Sequence, residues 1–269
     1  MILDKIIATK NEEVAKAKRS RPLAELKKLV KELAPCRDFT AAISGKACSV
    51  IAEVKCASPS RGRLIANFDP PALARIYEAN GAAAISVLTD EKYFMGQKKY
   101  LTQIRETVQL PLLRKDFIID PYQVYESRAI GADALLLIVR LLGDRLGEYL
   151  ALARELGMSA LTEVHTAAET ETALSASAAI IGINNRNLDT FVTDINTCKE
   201  LVRHIPPGKI IVAESAIKSR ADIVNIRQAG IHAFLIGEAL ATAPYIGEKL
   251  RELCGEGING TDKNLRHNK

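Results

Sequence analysis

Between residues 48 and 236 the chain repeats one alternation eight times, a short apolar run rich in β-branched residues followed by a longer stretch with helical spacing. No other feature limits the fold as strongly. The runs are CSVIAEV (48–54), AAISVL (83–88), LPLLR (110–114), DALLLIV (133–139), MSALTE (158–163), AAIIGI (178–183), KIIVAE (209–214) and HAFLI (232–236). Several intervening patterns, such as YQVYESRAIGA and ADIVNIRQAGI, place a glycine just ahead of the next strand, where a helix needs its left-handed cap. Strands alternating with helices specify a parallel sheet built of right-handed βαβ units. Eight such units are expected to close into a (β/α)8 TIM barrel rather than an open doubly wound sheet, because closure leaves no exposed edge. A length of 269 residues suits one such barrel.

Ahead of the first strand, residues 2–19 and 22–34 carry apolar residues at helical spacing, with Pro22 suited to a first helical turn. The expected organisation is an N-terminal helical extension over 1–46, the barrel over 47–254 and a polar C-terminal tail over 255–269. The extension holds 11 Lys and Arg against 6 Asp and Glu, which equals the whole formal excess of +5. Those charges fall on the outer faces of amphipathic helices with no interleaved aromatics, so no nucleic-acid partner is expected. The longest apolar run, ALLLIV (134–139), is bounded by Asp133 and Arg140 and falls far short of the roughly 18 residues of a membrane span. The N-terminus mixes charged with apolar residues and lacks the continuous apolar core of a secretory signal, so a cytoplasmic location without membrane contact is expected. Five cysteines without C-x-x-C spacing read as reduced packing residues, and the four histidines lack paired ligand spacing, so no metal is expected. GEGING (255–260) matches a dinucleotide fingerprint only in letters, since no strand precedes it.

Function in such a barrel sits at the C-terminal ends of the strands. There the apolar pattern gives way to Lys55, Lys115, Glu163, Asn184 and Glu214. Stability alone offers no reason to gather ionisable groups at one rim, so a catalytic site is expected. In IAEVKCASPSRG (51–62), Ile51, Glu53 and Lys55 share strand parity and face one way, a costly arrangement for a merely structural ion pair. Pro59 keeps Ser58 extended, and hydroxyl residues on a glycine-containing loop suit an anionic ligand. In LLRKDFIID (112–120), Lys115 is placed as a proton donor, its pKa expected to be lowered by a neighbouring cation and apolar walls. Arg114 has the opposite parity and faces the helical layer. Glu163 in SALTEVH (159–165) suits a general base, whereas His165, just past the strand, reads as a surface residue or the start of a helix. Asn184 and Arg186 in GINNRNL (182–188) share parity and can fix ligand hydroxyls or a carboxylate.

VAESAI (212–217) and LIGEAL (235–240) end the last two strands, where barrels of this kind hold phosphate on backbone N–H groups. Gly237 permits close approach, and Glu238 is expected to lend its amide while its side chain turns away. A phosphorylated small molecule is the expected ligand.

The ordered set ILDKIIATKNEEV, IAEVKCASPSRG, SVLTDEKYFMG, LLRKDFIID, ALLLIV, GINNRNL, VAES and FLIGEAL resembles the indole-3-glycerol-phosphate synthase family of tryptophan biosynthesis, up to about residue 253. The resemblance implies a carboxy-lyase that needs neither metal nor cofactor. Its substrate would be 1-(2-carboxyphenylamino)-1-deoxyribulose 5-phosphate, and its products indole-3-glycerol phosphate, CO2 and water. Lys115 would protonate the ketone oxygen, Lys55 would hold the carboxylate and assist dehydration, and Glu163 would act as base near the aniline nitrogen. Which lysine serves which step stays open. Glu53, Asn184 and Ser215 would orient these groups and the sugar hydroxyls, beside Glu214 and Arg186. Phe94, Phe117, Leu136 and Leu188 would line the aromatic pocket. Phosphate would rest on Ser58 and on the amides around Ser215–Ala216 and Gly237–Glu238. A self-contained barrel of this kind is expected to act as a monomer.

Two positions depart from the family pattern. Ala216 stands where a glycine is usual, and would strain the phosphate cradle if the backbone there needs positive φ. Cys56 replaces a usual basic residue, and parity turns it from the mouth. Two other readings stay in view. A barrel like phosphoribosylanthranilate isomerase would use Cys56 in its acid/base pair, although the Lys-x-x-Ser-Pro-Ser loop and the N-terminal helices speak against it. A non-catalytic anion-binding barrel would bind ligand without turnover.

Overall fold

The computed structural model describes residues 2–45, 47–59, 61–187 and 192–255. Leu188 and the tail from residue 256 lie outside the described residues. Eight parallel strands form a closed barrel: β1 (Ser49–Val54), β2 (Ala84–Leu88), β3 (Leu112–Lys115), β4 (Ala134–Ile138), β5 (Ser159–Val164), β6 (Ile180–Asn184), β7 (Ile210–Glu214) and β8 (Ala233–Ile236). Strand β1 pairs with both β2 and β8, which closes the ring. Each strand lies inside its apolar run or extends it by one residue.

The period of two along each strand splits the core into separate clusters. Ile51, Leu113, Leu161, Val212 and Leu235 belong to the cluster inside the barrel. Their neighbours Val50, Leu112, Ile181, Ala213 and Phe234 belong to the cluster between strands and helices. Five of the eight inward rows, followed toward the C-terminal end of the strand, change from apolar to polar: Ile51 leads to Glu53 and Lys55, Leu113 to Lys115, Leu161 to Glu163, Ile180 to Asn184, and Val212 to Glu214. Arg114, between two such rows, is buried in the helical layer as its parity requires, 2.9 Å from Glu126.

Three helices precede the barrel, α1 (Ile2–Ser20), α2 (Leu23–Glu32) and α3 (Phe39–Ile43), where the periodicity predicted two. The five residues of α3 are too few to show a 3.6-residue pattern. Asp38 caps α3 by accepting from Ala41 N at 2.8 Å. Phe39 and Ile43 are buried in the interior cluster, and Thr40 Oγ1 lies 3.0 Å from Ser159 Oγ at the start of β5, so α3 closes the N-terminal end of the barrel.

Helices α4 (Pro70–Ala79), α5 (Lys98–Thr107) and α6 (Pro121–Ala129) follow β1, β2 and β3. Asp69 caps α4, and Asp120 with Gln123 forms a capping box on α6, each with proline in the first turn. These caps define where the loops of the mouth end. Helix α1 reaches the mouth side: Lys18 Nζ lies 2.7 Å from Asp120 Oδ2, and Thr9 Oγ1 lies 3.0 Å from the Tyr93 hydroxyl. Among the described residues no helix is long and apolar enough to cross a membrane.

Candidate active site

The inward rows deliver their charged ends to one place. Lys115 Nζ lies 3.2 Å from Glu163 Oε2 and 3.3 Å from Glu214 Oε2. Lys55 Nζ lies 3.2 Å from Glu53 Oε1 and 5.6 Å from the centroid of the Phe94 ring. The Phe94 and Phe117 rings stand 6.1 Å apart with a tilt of 39°. These groups border a cavity of about 740 Å³ whose apolar wall includes Leu136, Ile138 and Leu235. Such a volume takes a ligand of drug-like size. Every site residue predicted from the sequence and described in the structure lines this cavity: Glu53, Lys55 and Ser58 from β1 and its loop, Phe94, Lys115 and Phe117, then Leu136, Glu163, Asn184 and Arg186, and finally Glu214, Ser215, Ala216, Gly237 and Glu238. Leu188 alone of the set lies outside the described residues.

The electrostatics overturn one expectation. Lys115 was expected to have a lowered pKa beside a cation. Burial does pull it down, but the Glu163, Glu214 and Glu53 carboxylates together outweigh that and hold it well above the usual lysine value. Arg114, the cation invoked, points away into the helical layer. Glu163 shows the converse. Burial raises its pKa, yet Lys115 and His165, with the Asn184 amide, bring it below the ordinary glutamate value. Glu214 is pushed up to about 7, chiefly by burial with Glu163 adding, against the pull of Lys115. Neither Glu214 oxygen has a hydrogen-bond partner in bonding geometry among the described residues, and the Lys115 ammonium, 3.3 Å from Oε2, is the cation paired with it.

Glycines and strained residues shape the rim. A Cβ on Gly237 would overlap the Glu53 carboxylate, and one on Gly182 would overlap that of Glu214. Ser215 and Ala216 both have positive φ, 63° and 64°, so the conformation that disfavours alanine is present in the loop after β7. A left-handed non-glycine residue costs about 1–2 kcal/mol. Glu238 differs from expectation, since its side chain stays at the mouth and bridges two loops, 3.3 Å from Arg61 Nε and 3.4 Å from Arg186 Nη2. Arg186 therefore has a carboxylate partner before any ligand arrives. Cys56 is buried and does not line the cavity, as its parity requires. Among the described residues no group of three or more His, Cys, Asp and Glu is placed to hold a metal ion.

A family model described as indole-3-glycerol phosphate synthase matches residues 3–253. The chain belongs to the indole-3-glycerol phosphate synthase family. Its relatives include the indole-3-glycerol phosphate synthase of Dehalococcoides mccartyi strain CBDB1, 49% identical over 258 residues that cover 94% of this chain and 100% of that one. The enzyme of the same name from Desulforamulus reducens is 48% identical over 263 residues, covering 97% and 99%. Among solved structures, the thiamine phosphate pyrophosphorylase of Pyrococcus furiosus matches with a TM-score of 0.58 at 14% identity, over 77% of this chain and 93% of that one, a likeness of fold alone.

For an indole-3-glycerol phosphate synthase family member, sequence reading missed several parts of this mouth. Asp90 follows the inward parity of Ala84, Ser86 and Leu88, so the rule that found Lys55 would have found it. Asp116, just past the end of β3, also borders the cavity and pairs with the buried Arg114 at 3.0 Å. His165, expected at the surface or at the start of a helix, lies in the loop two residues ahead of the helix Ala167–Ser175, which Thr166 caps. Its side chain is only 9% exposed: Nε2 sits 3.3 Å from Glu163 Oε1 and Nδ1 3.2 Å from Glu169 Oε2. Nothing local announced that contact.

Proposed function

We propose that this chain closes the indole ring, converting 1-(2-carboxyphenylamino)-1-deoxyribulose 5-phosphate to indole-3-glycerol phosphate, CO2 and water. The observation that carries the reading is Lys115 held between Glu163 and Glu214, at 3.2 and 3.3 Å, beside a paired aromatic wall. The ring carbon bearing the carboxylate attacks the ketone carbon while Lys115 gives a proton to the ketone oxygen. A raised pKa keeps Lys115 charged at neutral pH, so it has a proton to give, and a developing alkoxide is a far stronger base than an amine. Loss of CO2 returns the electron pair to the ring. Lys55 then protonates the new hydroxyl so that it leaves as water, while a proton from the adjacent CH2 of the new ring passes to Glu163, and the electron pair of that C–H bond completes the aromatic pyrrole.

Lys55 holds the substrate carboxylate, and its place over the Phe94 ring supports this, since that ring and Phe117 would receive the aminobenzoate ring. The apolar wall of Leu136 favours departure of CO2 by excluding water. Glu53 and Asn184 orient Lys55 and Glu163. Ser58, Ser215, Ala216, Gly237 and the Glu238 amide take the phosphate, and Arg186 reaches the ligand by leaving Glu238. On the same reading the chain acts as a cytoplasmic monomer.

The test supplies the substrate with excess EDTA and follows indole absorbance, with Lys115→Ala and Glu163→Gln as controls. Indole formation by the wild type and its loss in both variants is the expected result. Isomerisation of phosphoribosylanthranilate without indole formation, or binding without turnover, would reject the reading.

A further inference from the structure

Two buried carboxylates at the mouth, Asp90 and Asp116, take no part in the ring-closing chemistry, and both are met by a lysine from outside the barrel. Lys10, on α1, is only 3% exposed; its Nζ lies 2.9 Å from Asp90 Oδ2, 2.9 Å from Asp116 Oδ1 and 2.7 Å from Glu13 Oε2. Asp90 Oδ1 accepts from Tyr93 N at 2.8 Å and from Phe94 N at 3.2 Å, so the turn that carries Phe94 hangs on this carboxylate. Asp116 accepts from Phe117 N at 2.8 Å, and from Thr89 Oγ1 at 2.6 Å and Arg114 Nη2 at 3.0 Å. One ammonium thus ties the root of Phe94 to the root of Phe117. Asp90 Oδ2 has no hydrogen-bond donor in bonding geometry among the described residues, so Lys10 is the charge that compensates it.

We propose that Lys10 is a positioning residue of the aromatic pocket, fixing the separation of Phe94 and Phe117 and so making α1 part of the substrate site. The proposal rests on the ring-closing reading for the identity of the ligand. Lys10 acts on the aromatic end, because its partners root Phe94 and Phe117, whereas the phosphate end is built from the loops after β7 and β8. Lys18 supplies the comparison: it also ties α1 to the barrel, 2.7 Å from Asp120 at the far end of the loop that carries Phe117, but it pairs with neither Asp90 nor Asp116, the carboxylates that root the two rings.

The test compares Lys10→Met with Lys18→Ala in the full chain. For Lys10→Met, KM and the dissociation constant of indole-3-glycerol phosphate are expected to rise about tenfold with kcat changed less than about threefold, while inhibition by inorganic phosphate stays within about twofold. Lys18→Ala is expected to keep wild-type values. An unchanged KM in Lys10→Met, a parallel loss of phosphate affinity, or an equal effect from Lys18→Ala would each overturn the proposal. Should Lys10→Met not fold, Lys10→Met/Asp90→Asn removes the pair without leaving an uncompensated carboxylate and is read the same way. Absence of indole formation by the wild type would instead reject the parent reading, which separates the two failures.

Discussion

Gly182 lies against Glu214 so closely that a Cβ on Gly182 would overlap Glu214 Oε1. The absence of a side chain on β6 at this level is what lets the β7 carboxylate turn inward to Lys115. Gly182→Ala is therefore expected to displace Glu214 and to cost about 1–3 kcal/mol in overpacking. Urea unfolding reads the stability, and a fall in kcat/KM with unchanged phosphate inhibition reads the displaced carboxylate.

Ala216 sits at φ 64°, a conformation glycine adopts without penalty. Ala216→Gly relieves about 1–2 kcal/mol of left-handed strain and loses about 0.4–1 kcal/mol through a more flexible unfolded chain. A small net gain in stability is expected, together with tighter binding of inorganic phosphate. Thermal unfolding and phosphate inhibition check the two halves.

The elevated Glu214 fixes a pH dependence. Its folded pKa is about 7 against an ordinary 4.5. Between those values the folded chain keeps a proton that the unfolded chain has released, so this group's contribution to stability falls as pH rises through the window. Glu163 works in the opposite sense: its pKa is lowered in the fold, so its contribution is present above the ordinary value and is lost as the solution becomes acidic. Glu214→Gln should become more stable relative to wild type as pH is raised from about 5 to about 7.5. Urea midpoints measured at both values test this, and a pH-independent difference would reject it.

Lys115→Met and Glu163→Gln are each expected to lower kcat by about 10²- to 10⁴-fold, the usual worth of a positioned acid or base. Their stabilities should part. Lys115→Met leaves Glu163, Glu214 and Glu53 without their shared cation and is expected to cost about 3–5 kcal/mol, whereas Glu163→Gln removes one of the competing charges. Steady-state kinetics with urea unfolding of the same samples separates the effects.

What the sequence made legible follows from periodicity. Strand parity alone sends Glu53, Lys55, Lys115, Glu163, Asn184 and Glu214 to one side of the sheet, and closure of eight strands turns that side into a mouth. Relations between elements distant in the chain were not legible. The partners of Lys10 lie 80 and 106 residues away, at Asp90 and Asp116, and no local pattern encodes them. The direction of the Lys115 pKa depends on which charges face it across the barrel, so its nearest neighbour in sequence, Arg114, misled. Helix α3 was invisible because one turn and a half has no period to read.

The seating of Phe39 and Ile43 at the foot of the barrel has a consequence for traffic. With that end stoppered, the incoming sugar phosphate and the outgoing indole-3-glycerol phosphate share the one doorway that the described residues leave at the mouth, so the product must vacate before the next guest is admitted. Turnover in such a vessel is single file.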